Sequence, residues 1–268
     1  MGIFRSTQSA LEKELAKVYK EEAKLRSQLQ HQKPLPWKES LEEKIPAKVR
    51  DGIQKGFQKA FEITFDKGSI VIDKTYNKEA KKQNFKVKDY AVDVKGGRRQ
   101  FSSMKKDARF GHAVNTVLTS VEGIGLGVLG IGLPDIVLWV GMLLRGVYET
   151  ALGYGFDYET PEEKLFILKL LETPMLSDRE WVKANREIDN YLEQHTHVIP
   201  DEQTLSAQMR KTADAFATDI IVVKFIQSLP IIGAVGGAAN PLYYKKVLTY
   251  VELKYRKRYL LKKLGKKE

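Results

Sequence analysis

The sequence predicts an all-α protein, a helical bundle with two Gly/Pro-interrupted apolar helical segments packed together. Three observations carry that expectation. Apolar residues recur at three- and four-residue steps over long stretches, the period of an amphipathic helix. Helix-start signals stand at Thr160 and Ser177. Ile70-Val71-Ile72 could begin a strand, but nothing nearby pairs with it convincingly.

Taken in order, residues 6–30 read as a helix with a narrow apolar seam of Leu11, Leu15, Val18, Leu25 and Leu29, breached by Glu22. Pro34 and Pro36 end it, so residues 1–36 form an amphipathic helix with a Pro linker, ahead of a helical domain over 37–268. A second helix places Ile45, Val49, Ile53, Phe57, Phe61 and Phe65 on one face and Lys48, Lys55 and Lys59 on the other. Core packing is its default reading, and a membrane-surface helix is the alternative. Residues 67–110 read as broken helix and loop, interrupted at Gly96-Gly97. Thr160-Pro161-Glu162-Glu163 has the order of a capping box with proline at the first helical position, and Ser177-Asp178-Arg179-Glu180 repeats the logic after Pro174. Trp181, Ala184, Ile188 and Leu192 then mark one helical face. Another helix starts near Thr204 and runs into Ile220-Ile221-Val222-Val223. The last lies beyond Pro230 and carries Val247, Val251 and Tyr255.

Two segments are unusual. Residues 123–144 are 22 residues long with one charge, Asp135, and as a straight helix would reach about 33 Å, enough to cross a bilayer. Asp135 opposes a span, at roughly 2.5–3.5 kcal/mol on insertion scales. Pro134 removes a backbone donor, and six glycines each lower helix propensity by about 1 kcal/mol relative to alanine. Two short helices fit better, buried in the protein or re-entrant in the membrane interface, with Asp135 capping a helix that starts at Ile136. Residues 220–242 are similar, broken at Pro230. Gly123 with Gly127 and Gly233 with Gly237 have the spacing that lets two helix backbones approach, so the two segments are expected to pack through these glycines.

The net charge of +11 is unevenly spread. Residues 1–110 hold 26 Lys/Arg against 15 Asp/Glu, residues 111–240 hold 9 against 17, and residues 241–268 hold 10 against 2. Basic ends favour anionic partners. Lys245, Lys246, Arg256, Lys257, Arg258, Lys262 and Lys263 are the expected contacts to an anionic membrane surface, each contributing about 1 kcal/mol near headgroups.

Catalytic chemistry has no visible residue set. The chain has no cysteine and four histidines, which excludes disulfides, Cys-based zinc sites and thiol catalysis. His195 and His197 at i and i+2 do not share a helix face, and no third ligand accompanies them, so no metal is expected. Gly125-Leu126-Gly127-Val128-Leu129-Gly130 matches a dinucleotide fingerprint in letters but lacks the preceding strand that one needs, so no cofactor is expected. The opening residues Met1 to Ser6 lack the apolar core of a signal peptide, which favours a cytoplasmic location.

An ordered set of short motifs points to a family. Ile45-Pro46-Ala47-Lys48-Val49, Glu122-Gly123, Leu133-Pro134-Asp135, Tyr154-Gly155-Phe156-Asp157, Glu162-Glu163-Lys164, Leu229-Pro230-Ile231-Ile232-Gly233, Gly236-Gly237 and Asn240 together resemble the EcsC family, over about residues 40–262. That family is named after the third member of a bacterial operon whose other two products form an ABC transporter. The resemblance implies a cytoplasmic, membrane-associated accessory to a transporter or secretion system, and it carries over no catalytic residue. Nucleic-acid binding by the basic ends is the alternative, without a recognisable binding motif. A second is an enzyme on a lipid-like substrate, with Glu122 and Asp135 as its buried acids.

Overall fold

The computed structural model describes residues 2–30, 47–65, 72–73, 76–109, 133–194, 199–227 and 239–265. They form nine helices: α1 Gly2–Gln30, α2 Ala47–Ile63, α3 Lys78–Lys95, α4 Arg98–Ala108, α5 Leu133–Gly153, α6 Pro161–Glu172, α7 Asp178–Gln194, α8 Glu202–Gln227 and α9 Ala239–Gly265. No strand occurs among the described residues, so the protein is all-α. Gly123, Gly127, Gly233 and Gly237, and with them the expected glycine-mediated packing, lie outside the described residues. So do Glu122, His195 and His197.

Local chemistry sets most helix ends. The Thr160 side chain accepts from the Glu163 amide at 3.2 Å, with Pro161 in the first turn of α6, as the sequence indicates. Asp201 caps α8 by accepting from the Thr204 amide at 2.8 Å. Residues 78–108, expected as broken helix and loop, are two helices parted at Gly96-Gly97. Asn77 caps the first of them by accepting from the Ala80 amide. α5 begins at Leu133, so Asp135 is its third helical residue and not the cap of a helix starting at Ile136. The far end of α5 closes with a Schellman turn: the Phe156 amide donates to Ala151 O at 2.9 Å and the Gly155 amide to Leu152 O at 3.0 Å. Gly155 has φ +80°, the left-handed conformation that this turn requires of its last residue. The Phe85 ring of α3 occupies the space a side chain at Gly155 would fill.

Two helices run through the interior. In α5 residues 143–152 are buried throughout, and so are residues 250–257 in α9. They cross at Gly146, where an added Cβ would meet Leu248 at 2.8 Å and the Tyr244 hydroxyl at 3.0 Å. Tyr244 donates to Met142 O at 3.1 Å across the same crossing. α2 joins α5 and α8 through interlocked rings. Trp139 meets Phe216 with centroids 5.4 Å apart, Phe57 stacks on Phe216 at 5.9 Å, and Phe61 reaches Phe216 at 5.9 Å. The phenylalanine face of α2 is therefore core, with Phe57, Phe61 and Phe65 all buried; the membrane-surface alternative for that face is set aside. α1 lies along α9 with Leu11 and Val18 buried. None of the described helices is long and apolar enough to cross a membrane.

Phe216 holds three rings from two other helices, so Phe216→Ala should lower unfolding free energy by about 3–5 kcal/mol. Tyr90→Ala, at a side chain 71% exposed, should stay within about 0.5 kcal/mol of the parent. Chemical denaturation of both variants checks the contrast.

Candidate functional site

Five cations of the C-terminal helix point into the protein. Lys254 and Lys257 are 0% and 1% exposed. Lys254 Nζ donates to Asp189 at 2.6 Å and to Glu22, and Lys257 Nζ to Asp189 at 2.8 Å and Glu22 at 3.1 Å. Two cations and two carboxylates thus form a neutral box where α1, α7 and α9 meet. Tyr250 donates to Asn185 at 2.8 Å, and Asn185 in turn donates to Asp189 at 3.0 Å. Burial opposes the charge on Lys257, but Asp189 and Glu22 outweigh it and raise its pKa.

Arg256 hydrogen-bonds Glu21 and lies 3.9 Å from Glu14 and 3.7 Å from Glu252. Tyr154 donates to Glu252 at 2.8 Å. Arg258 donates to Glu163 at 2.6 Å while Tyr255 donates to the same carboxylate at 2.5 Å. Its guanidinium stands 4.2 Å from the centroid of Phe156 and 4.8 Å from that of Phe166, a cation–π arrangement. Burial lifts the Tyr255 pKa well above its ordinary value, and the neighbouring Glu163 lifts it further. Lys263 bridges Asp89 at 2.7 Å and Asp93 at 2.8 Å on α3.

These contacts correct the expected basic membrane face. Of its seven residues, Arg256 and Lys257 are buried, Arg258 and Lys263 are largely covered, and Lys245, Lys246 and Lys262 are exposed. Their partners come from α1, α3, α6 and α7, far away in sequence, so a local charge count cannot reveal the pairing. Glu163 shows the same effect. Its backbone receives the Thr160 cap, but its carboxylate serves Arg258 and Tyr255 on α9 instead of closing a capping box.

A second polar cluster joins the start of α3 to the turn after α5. The Tyr158 hydroxyl donates to Asp73, and the Tyr76 and Tyr158 hydroxyls share a hydrogen bond of 2.8 Å. Lys78 lies 3.6 Å from Asp73 and 4.5 Å from the centroid of the Tyr158 ring. Tyr148 stacks on Tyr158 at 4.0 Å. Burial, then the bonds to Asp73 and Tyr76, keep Tyr158 protonated far above neutral pH, so this cluster works as a hydrogen-bonded tie between elements. No group of residues suited to a metal ion occurs among the described residues. The Asp135 side chain lies outside those described.

The solvent side of α3 and α4 has a different character. Phe85 and Val92 of α3 face inward, with Asp89 and Asp93 turned toward Lys263 of α9. The opposite face exposes Val87, Tyr90 and Val94, and Lys86 and Lys95 are exposed beside them. α4 turns Phe101, Met104 and Ala108 inward and exposes Arg98, Arg99 and Lys106. Its Gly97 cap makes no side-chain hydrogen bond. Residues 94–106 of this corner hold no acid; Lys95, Arg98, Arg99 and Lys106 are exposed, while Lys105 turns to Glu21 and Glu252. Sequence reasoning missed this face because it read the region as broken helix and loop; the three-and-four spacing of residues 87, 90 and 94 was the signal available.

A family model for the EcsC protein family matches residues 9–260. Protein EcsC of Bacillus subtilis (strain 168) is 28% identical over 126 residues, which cover 46% of this chain and 50% of that protein. The match thus spans half the length of this curated relative. No solved structure matches the chain.

Removing one acid from the box should be costly. Asp189→Ala leaves Lys254 and Lys257 with one carboxylate between them and should lower stability by about 3–5 kcal/mol, whereas the exposed Lys245→Ala should change it by less than about 0.5 kcal/mol. The ion pairs between α1 and α9 also predict a pH profile. Burial works against the Glu21 carboxylate, but Arg256 and Lys105 hold its pKa below the ordinary 4.5. Its contribution is present above pH 4.5 and is lost as pH falls through the depressed value. That of Lys257 is present below its ordinary 10.5 and is lost as pH rises through the raised value. Thermal melts across pH 3–12 should fall at both ends, with the acid limb shallower in Glu21→Gln.

Proposed function

Because the chain belongs to the EcsC protein family, we propose that it is a non-enzymatic accessory protein that docks peripherally on an anionic membrane face, in the cytoplasm, and assists a transporter or secretion system. The observation that carries this reading is the corner of α3 and α4, where Lys95, Arg98, Arg99 and Lys106 are all exposed while Lys254, Arg256, Lys257, Arg258 and Lys263 of α9 are held in internal pairs. Exposed cations attract anionic headgroups within a Debye length. The accessory role is proposed by likeness to the family, whose founding operon encodes a transporter.

Nucleic acid is the competing anionic partner. The apolar side chains that adjoin these cations favour a lipid surface, since a phosphate backbone offers nothing for valine to bury against. Replacing Lys257, Arg258 and Lys263 is no test of docking, because it would break internal ion pairs. The informative variant is Lys95→Gln/Arg98→Gln/Arg99→Gln. At about 1 kcal/mol per cation it should weaken binding to vesicles rich in phosphatidylserine by roughly 100-fold at low salt, with an unchanged melting temperature. Flotation assays measure this. Failure of the parent protein to float with anionic vesicles at low salt would overturn the proposal, as would tighter binding to RNA or DNA in direct competition.

A further inference from the structure

We infer that Val87, Tyr90 and Val94 of α3 insert into the interfacial layer of the anionic bilayer, giving the docked protein an apolar anchor beside its cationic corner. The inference rests on the peripheral reading above and adds the part of the surface that enters the lipid. Of the five exposed large hydrophobic residues among those described, these three share one helix; of the others, Tyr19 lies on α1 and Ile199 ahead of α8. Their spacing of three and four residues stacks them along one face, over about 10 Å of helix axis. Val87 is 69% and Tyr90 71% exposed. Scattered single residues of this kind are ordinary, but a stripe of them edged by cations marks a contact surface.

The helix is held so that this face stays outward. On its inner side Phe85 meets Tyr259 edge-on at 6.2 Å, and Lys263 bridges Asp89 and Asp93. Lys81 pairs with Glu149 at 2.9 Å, and Lys88 pairs with Asp107. Asp89 is thereby drawn to the interior side, Asp93 stays exposed but neutralised by Lys263, and Lys86 and Lys95 border the stripe. An apolar strip with a tyrosine, flanked by lysine and arginine, matches the layered chemistry of a membrane interface: aliphatic groups below the headgroups, tyrosine among them, cations at the phosphates. A second copy of this chain fits poorly, since the cationic borders would face each other. Three side chains also fall well short of the roughly 800 Å² per partner that a stable protein interface buries, whereas a fluid lipid surface requires no matching shape.

The absence of cysteine allows a direct test on the full chain. Val87→Cys carries an environment-sensitive fluorophore, and Lys183→Cys on the exposed side of α7 serves as the control. Mixed phosphatidylcholine–phosphatidylserine vesicles should blue-shift the probe at 87 and leave the probe at 183 unchanged. Val87→Ser/Tyr90→Ser/Val94→Ser, confirmed folded by its melting curve, should bind the same vesicles at least tenfold more weakly at high salt, where the cations are screened. If the parent floats with vesicles but the probe at 87 does not respond and the triple variant binds equally, insertion is overturned while electrostatic docking stands. If the parent does not float, docking itself fails and the inference with it. A probe response that grows with protein concentration and needs no vesicles would assign the stripe to a second copy and overturn the lipid occupant.

Discussion

The pairing of Lys254 and Lys257 with Glu22 and Asp189 is the constraint on which the rest of the molecule depends. It brings α1, α7 and α9 to one point and allows two lysines to be covered completely. Ammonium groups removed from water without partners would drive the helices apart or lose their protons. With two carboxylates in hydrogen-bond reach, α9 can pass through the interior with charged residues on several sides, and the hydrophobic residues between them can pack. Arg256 and Arg258 extend the arrangement to Glu21 and Glu163. Buried ion pairs of this kind do little for net stability compared with apolar replacements, but they penalise every register in which the charges miss one another. The helix has one acceptable rotation and one acceptable depth.

Apolar packing supplies what the charges do not. α5 crosses α9 at a glycine and approaches α4 where Gly153 faces the Ala108 backbone, with a hypothetical Cβ 2.9 Å from Ala108 Cα. Thr150 seals that approach by donating toward Ala108 O at 3.0 Å or Gly146 O at 2.8 Å. At the other side of the molecule, rings from α2, α5 and α8 interlock around Phe216. Small residues set the distance between the central helices, and large ones fill the space around them.

How much of this was legible in the sequence follows from the range of each interaction. The phenylalanines of α2 and the face of Trp181, Ile188 and Leu192 were readable because burial on one side leaves a three-and-four pattern. The Thr160 cap was readable because all its participants lie within four residues. α9 was misread for the opposite reason. Surrounded by other helices, it has no polar face to contrast with an apolar one, and its neutralising acids sit as many as 235 residues away. Glu22 looked like a flaw in the α1 seam until Lys254 and Lys257 were found opposite it. α3 was missed because its inner face is held mainly by ion pairs, leaving Phe85 and Val92 as a thin apolar signal. The family motif Tyr154-Gly155-Phe156-Asp157 was legible as letters and becomes physical as the turn that closes α5.

The union of α1 with α9 also bears on how the molecule comes into being. Glu21 and Glu22 emerge early during synthesis, yet the side chains that neutralise them belong to residues 254–257. Until translation has passed that point, α1 is a nascent amphipathic helix with its seam open and its acids solvated. Contacts of such sequence separation form late and slow the final step of folding. The buried ion box therefore closes the fold after the other helices have had time to gather, and only once residues 254–257 have been made.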